Sequence, residues 1–366
     1  MQRLVPLLTV VFVVVSIGAE PKPAKIPPEK GLTFQGKTLD EWKAMAKAKE
    51  PAVRIEAAQA LAELGPAAIP ALTELLRDRE RDARVNAALG LTRFRAEAKL
   101  AVPALTELLR DKSALVRWAA ASALAEIGPD PKTAFPLLIE LLKDKEADVR
   151  YAAANALEAI GPEAKAAVPA LTQLMRDGVC RYAAAGALGA IGPEAKTAIP
   201  ALVEFLQDRG EAAEETATKA LRGIGPAAIP ALTELLRNPK AHSRLVAAKA
   251  LSHLGDQPRK TTIPVLTELL RNKEVDIRIE AAWALQGIGP EAKAAVPALI
   301  QLLRDEDEEA QMVATRTLGA MGPAAKAAIP ALTELLRNGP TGLREDAADA
   351  LKAIEKQTPA DAAKKP

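Results

Sequence analysis

The chain of 366 residues is long enough for two or three ordinary domains. Only 3% of it is aromatic while 49% is hydrophobic, so its core has to be built from small and branched aliphatic side chains over closely approaching backbones. With 49 Lys and Arg against 47 Asp and Glu, a net charge of +2 supplies no bulk field to draw the chain onto nucleic acid or an anionic membrane. The single cysteine, Cys180, excludes an internal disulfide and a multi-cysteine zinc site, and two histidines, His242 and His253, leave little for metal or acid–base chemistry.

In chain order, Arg3 precedes an apolar run from Leu4 to Ile17, and the small residues Ser16, Gly18 and Ala19 stand before Glu20. This is the pattern of a secretory signal. As a helix the apolar run would rise only about 21 Å against a hydrocarbon core of roughly 30 Å, and Pro6 weakens a spanning segment further. Residues 1–19 are therefore read as a signal peptide, cut after Gly18 or Ala19 or else kept as an anchor. The expected location is exported, periplasmic or extracellular, with no membrane insertion after cleavage. The next stretch, 20–37, carries Pro21, Pro23, Pro27 and Pro28 among charged residues and is expected to be an extended linker. At the other end, 356–366 lacks apolar periodicity and is expected to be a disordered tail.

Between them lies a repeat. Pro-Ala-Leu-Thr-Glu-Leu-Leu-Arg occurs unchanged at Pro70–Arg77, Pro103–Arg110, Pro230–Arg237 and Pro330–Arg337, and the equivalent prolines along the chain are 30 to 34 residues apart. In this first segment Leu72, Leu75 and Leu76 fall on one helical stripe, with Thr73, Glu74 and Arg77 facing water. A second motif follows, as in Arg150–Gly161, where Val149, Ala153, Leu157 and Ile160 keep the same spacing among alanines that let helices approach. Gly-Pro pairs such as Gly161-Pro162 mark the unit boundaries. Prolines such as Pro169 are expected to bend the first helix. With a divergent opening pair at 38–64, ten helix pairs fill residues 38–355, and ten layers at helix-packing distances give an arc of roughly 80 to 100 Å.

The Gly-Pro, Val-Pro-x-Leu and Val-Arg-x-x-Ala-Ala-x-Ala-Leu pattern resembles HEAT repeats, in particular the subclass called phycobilisome lyase HEAT-like repeats. The resemblance implies an all-α fold, a right-handed α-solenoid whose second helices line a concave face. It also implies that Arg54, Arg84, Arg117, Arg150, Arg181, Arg244, Arg278 and Arg344, at the starts of second helices and often two residues after an acid such as Asp82, Asp148 or Asp276, form a structural ladder between units. Glu214 and Gln311 stand where arginine is expected, and Arg95-Ala96 replaces one Gly-Pro; these are places where the ladder or the curvature can break.

Trp118, Tyr151 and Tyr182 follow the arginine in three consecutive units, and Trp283 also falls on a second helix. Two readings stand for these rings: anchors for a partner on the concave face, or packing between units. Charge on that face divides between Glu56, Glu63, Glu126 and Glu158 in the first half and Lys219, Arg222 and Lys249 near the middle. No catalytic residue, metal ligand or cofactor is assigned. HEAT-like hydroxylases hold iron with repeated His-Glu pairs, and neither histidine here is followed by Glu; Cys180 is read as packing at a turn. The favoured function is an exported, monomeric, non-enzymatic scaffold binding a protein or peptide, not nucleic acid. A bilin-lyase-like enzyme and a structural spacer in the envelope are the alternatives.

Overall fold

The computed structural model describes residues 33–356, apart from residues 131 and 209. The expected signal peptide, the linker as far as residue 32 and the tail from residue 357 lie outside the described residues. The end of the expected linker is folded rather than extended. Strand β1 (Thr33–Phe34) pairs antiparallel with β2 (Lys37–Thr38) around Gln35 and Gly36, both at positive φ, as a two-residue hairpin turn requires. Its purpose is visible in Trp42, which is fully buried and donates its indole N–H to the Phe34 carbonyl at 3.0 Å. The hairpin thus covers the first layer of the stack.

Ten helix pairs follow. They are α1 (Leu39–Met45) with α2 (Pro51–Leu61), α3 (Ile69–Leu75) with α4 (Arg81–Thr92), α5 (Val102–Leu108) with α6 (Ala114–Ile127), α7 (Phe135–Leu141) with α8 (Ala147–Ile160), and α9 (Val168–Leu174) with α10 (Arg181–Ile191). The second half holds α11 (Ile199–Leu206) with α12 (Glu211–Ile224), α13 (Ile229–Leu235) with α14 (Ala241–Ser252), α15 (Asp256–Leu269) with α16 (Val275–Ile288), α17 (Val296–Leu302) with α18 (Glu308–Met321), and α19 (Ile329–Asn338) with α20 (Thr341–Glu355). The fold is an all-α solenoid.

Apart from Pro264, the repeated prolines sit at helix starts and do not bend helices. A 3₁₀ segment such as Gly161–Ala167 comes first, the α-helix restarts at Val168, and Pro169 falls in its first turn. There the missing N–H would have had no helical partner anyway, so the ring costs no hydrogen bond and presets φ. Among the described residues only Pro264, in α15, lies inside a helix. The boundary glycines take positive φ, 69° at Gly161 for example, and Arg95 adopts the same left-handed region at 45°. The Arg95 junction therefore keeps its backbone path without Gly-Pro.

Neighbouring second helices pack directly on one another, whereas neighbouring first helices scarcely touch and are spaced by the 3₁₀ segments. The closer-spaced layer forms the inside of the curve. Buried alanine triplets, Ala119–Ala121, Ala152–Ala154 and Ala183–Ala185, permit this spacing, and one continuous apolar cluster runs from Trp42 to Ile354. The tightest approach joins α10 to α12, where a Cβ on Gly223 would collide with the backbone of Gly189.

Along the edge between the layers runs a ladder of ion pairs. Arg54 reaches Asp78 at 2.6 Å, Arg84 Asp111 at 2.9 Å, Arg117 Asp144 at 2.7 Å, Arg150 Asp177 at 2.6 Å, Arg181 Asp208 at 2.5 Å and Arg278 Asp305 at 2.7 Å. The partner is the aspartate just after the next unit's first helix, not the acid two residues before the arginine. The Asp78, Asp111 and Asp144 turns each serve two arginines: Asp111 gives its carboxylate to Arg84 and its backbone carbonyl, at 2.9 Å, to Arg117. Burial works to raise the carboxyl pKa of Asp78, Asp144, Asp177 and Asp305. The arginine beside each and the backbone N–H two residues on outweigh it and hold all four below the ordinary 3.8.

Two outcomes are expected. A carboxyl depressed by folding stabilises the fold above its unfolded pKa and loses that contribution as pH falls through the folded value. Melting temperature should hold from pH 7 to about 5 and fall steeply below about pH 4, and a curve flat to pH 2 would contradict the ladder. By thermal melting, Gly223→Ala should destabilise by about 1–3 kcal/mol through overpacking, while Gly178→Ala, with open space around it, should change little.

Candidate functional site

The inner layer carries its own cross-unit contacts, made by residues five positions after the ladder site in one unit and two positions after it in the next. Gln59 donates to Asn86 at 3.2 Å, Lys249 to Glu280 at 2.8 Å and Arg316 to Asp346 at 3.2 Å. Glu63 on the same face pairs with Arg93 at 2.9 Å. Much of this face is therefore closed by its own side chains.

One region departs from the rule. Between the sixth and seventh units the ladder has neither member: Glu214 replaces the arginine and Asn238 the aspartate. The loss of both is physically coherent, because a lone half-buried carboxylate or guanidinium would be costly. Helices α12 and α14 are accordingly the least closely packed neighbours in the inner layer. Lys249, in the last turn of α14, spans the gap, with Nζ 2.6 Å from Glu214 Oε1 on α12 and 2.8 Å from Glu280 Oε2 on α16. Burial favours its neutral form, but the hydrogen bonds and charges of the two carboxylates prevail and raise the ammonium pKa above its ordinary value.

A cavity of about 680 Å³ opens over this seam, lined by Glu211, Glu215, Lys219, Arg222 and Trp283 together with the Lys249 cluster. The indole of Trp283 is 40% exposed. Acidic groups stand toward the start of α12 and Lys219 and Arg222 toward its end, so the cavity offers an aromatic face between charges of both signs.

The structure separates Trp283 from the other three rings. Trp118, Tyr151 and Tyr182 sit in equivalent places on α6, α8 and α10, one helical turn nearer the ladder than the place Trp283 occupies on α16. Trp118 is half-buried against the apolar cluster. Tyr182 is held edge-on by Phe205 of the next unit, at 5.1 Å between centroids and 82°, with the Arg181 guanidinium 5.1 Å from the Phe205 ring. Tyr151 is 37% exposed. Trp118 packs against the cluster, whereas Tyr182 packs on the next unit and remains 36% exposed.

Of the ladder arginines, Arg244 makes only a 3.1 Å contact with the exposed Glu268, and Arg344, in the last described unit, donates to Thr341 Oγ1 at 3.1 Å. Gln311 uses its amide to reach the Asp305 carbonyl at 2.5 Å, a bond an arginine makes elsewhere. His242 lies inside the first turn of α14 and not in a turn between helices, and His253 caps the end of that helix and lines the cavity. Cys180 precedes α10, buried, 3.4 Å from the Ala147 carbonyl, and burial pushes its thiol pKa up, opposite to what a nucleophile requires. Among the described residues no group of three or more His, Cys, Asp or Glu is placed to hold a metal, and no helix is long and apolar enough to cross a membrane.

A family model described as HEAT repeats matches residues 39–125, 102–188, 177–252, 199–286 and 263–352. No curated protein matches. Among solved structures, Kap95 in complex with Nup1 is similar at 15% identity and a TM-score of 0.66 over 89% of this chain and 51% of that one. Importin β is similar at 14% identity and 0.63 over 86% and 50%. An engineered protein matches at 25% identity and 0.47 over 87% and 99%. This chain spans about half the length of the importin β and Kap95 chains, and at those identities the likeness is one of fold.

If Lys249 clasps the seam, Lys249→Met should destabilise by about 1–3 kcal/mol by leaving two partly buried carboxylates side by side. A double-mutant cycle with Glu214→Gln, read by denaturation, should give a coupling of about 1 kcal/mol; a value near zero would remove the clasp.

Proposed function

This chain belongs to the HEAT-repeat family, and on that premise we propose that it is a non-enzymatic scaffold that binds a protein or peptide partner along its inner layer of second helices. The observation that carries this reading is the exposed indole of Trp283 beside the cavity at the α12–α14–α16 seam. A large aromatic face in a concave, charge-lined setting is the usual anchor of a recognition surface. Several outer first helices repeat Thr, Glu and Arg unchanged, which points specificity to the inner helices, whose residues differ more from unit to unit. Tyr151, exposed on the same layer, extends the surface toward the N-terminal half.

The proposal includes export of the chain, read from residues 1–19, and action as a monomer without cofactor or nucleic acid. The membership in the lyase-like subclass belongs here too, as a statement about repeat type and not about pigment chemistry.

Purification of the full chain from the exported fraction, followed by crosslinking and mapping of contacted residues, tests it. A stoichiometric polypeptide crosslinked to α12, α14 and α16 is expected, with Trp283→Ala weakening binding at least about tenfold at unchanged melting temperature. Copurifying pigment or metal would replace the scaffold by an enzyme, and recovery of the chain with nothing bound would favour the spacer. Contacts confined to the first helices would move the site to the outer face.

A further inference from the structure

The aspartate turns of the ladder divide their work between two oxygens. In Asp144, Oδ1 accepts the N–H of Glu146 at 3.0 Å and Arg117 Nη2 at 2.9 Å, while Oδ2 accepts Arg117 Nε at 2.7 Å; in Asp78, Oδ1 accepts the N–H of Glu80 at 2.8 Å and Arg54 Nη2 at 2.9 Å, while Oδ2 accepts Arg54 Nε at 2.6 Å. Between the seventh and eighth units the turn residue is Asn272. Its Oδ1 accepts the N–H of Glu274 at 2.9 Å, so the atom standing in for the second carboxylate oxygen is the amide nitrogen. That nitrogen only donates, and a guanidinium only donates. Where Arg244 Nε needs an acceptor, the ladder presents a second donor, and that Nε is shielded from solvent without a hydrogen-bond partner.

Arg244 is accordingly displaced to its single 3.1 Å contact with Glu268, whose side chain is 66% exposed, against 8% for Asp144 in an intact pair. The other two gaps differ. Asn238 faces Glu214 and Asn338 faces Gln311, so neither has an unmatched cation. A cavity of about 500 Å³ opens beside Arg244 and Asn272, bordered by Lys240, Lys273 and His242, with Glu274 as its one carboxylate. The Nε2 of His242, shielded from solvent, has no hydrogen-bond partner.

We propose that the slot between Arg244 and Asn272 binds an oxyanion, a carboxylate or a phosphate, which supplies the acceptor that aspartate supplies in the intact pairs. The anion completes the ladder between the seventh and eighth units, and Lys240 and Lys273 contribute attraction at the rim. The site lies on the ladder edge and does not depend on the inner-layer reading.

The test titrates the full chain with inorganic phosphate and, separately, with a short Asp/Glu-rich peptide, at constant ionic strength, reading binding by calorimetry and stability by melting. Saturable binding with a raised melting temperature is expected, and Arg244→Gln should weaken it about 10- to 100-fold. Asn272→Asp builds the missing acceptor into the chain, so it should abolish binding and raise the ligand-free melting temperature, while Asn238→Asp should leave binding intact. A response to phosphate alone assigns a free anion, and a response to the peptide alone assigns an acidic side chain of a partner. No binding, binding unchanged in Arg244→Gln, or an Asn272→Asp chain that binds as before would each overturn the proposal.

Discussion

No unit of this chain can cover its own apolar face. A helix pair of about 30 residues buries its leucines only when the next pair lies against it, and the single apolar cluster from Trp42 to Ile354 is the consequence. The two ends of such a stack need a cover, and at the first end the hairpin over Trp42 provides it. Everything else in the architecture, including the alanine triplets, the glycine approach between α10 and α12 and the split first helices, serves to bring one pair close to the next.

Apolar burial is strong but does not fix register. A buried leucine contributes about 1.5–3 kcal/mol wherever it is buried, while a charge-assisted pair contributes about as much only in one geometry. The ladder therefore acts as a directional element beside a larger non-directional one. It sets how each unit is placed on the next, and the Asp78, Asp111 and Asp144 turns, each shared by two arginines, pass that placement along. Where both members are gone, between the sixth and seventh units, the inner helices move apart and a cavity appears. Lys249 restores one link there, but from the last turn of the helix instead of its start.

The pair count and the layer order were legible because a period near 33 residues, punctuated by Gly-Pro, leaves a helix-turn-helix unit as the only economical solution. The position of the prolines was misjudged for a local reason. Gly-Pro-Glu-Ala-Lys-Ala-Ala reads as the opening of a helix, and nothing in its composition shows that it winds as a 3₁₀ turn before the α-helix restarts. The arginines are legible as a row, but the acids two residues before them do not identify their partners; the 27-residue spacing from Arg117 to Asp144 is the signal in the sequence that does. The aromatic residues could not be sorted in this way. Tyr182 and Trp283 are both second-helix rings, and only the packing of Phe205 beside one and the open seam beside the other tells them apart.

In a chain built by near-identical repetition, a residue shared by all units explains how they stack, and a residue that breaks the pattern needs another cause. Glu214, Asn238 and Asn272 each remove a ladder group, and they fall within two consecutive junctions while the five preceding junctions are intact. Random loss would leave isolated charges buried at a cost, yet two of the three changes are matched by a change in the facing residue. The remaining mismatch, Arg244 against Asn272, is the one that leaves a cation facing a donor. A stack that tolerates such a defect in its middle has either lost stability there without return or uses the unsatisfied group, and the cavities on both sides of α14 give that group and its neighbours something to act upon.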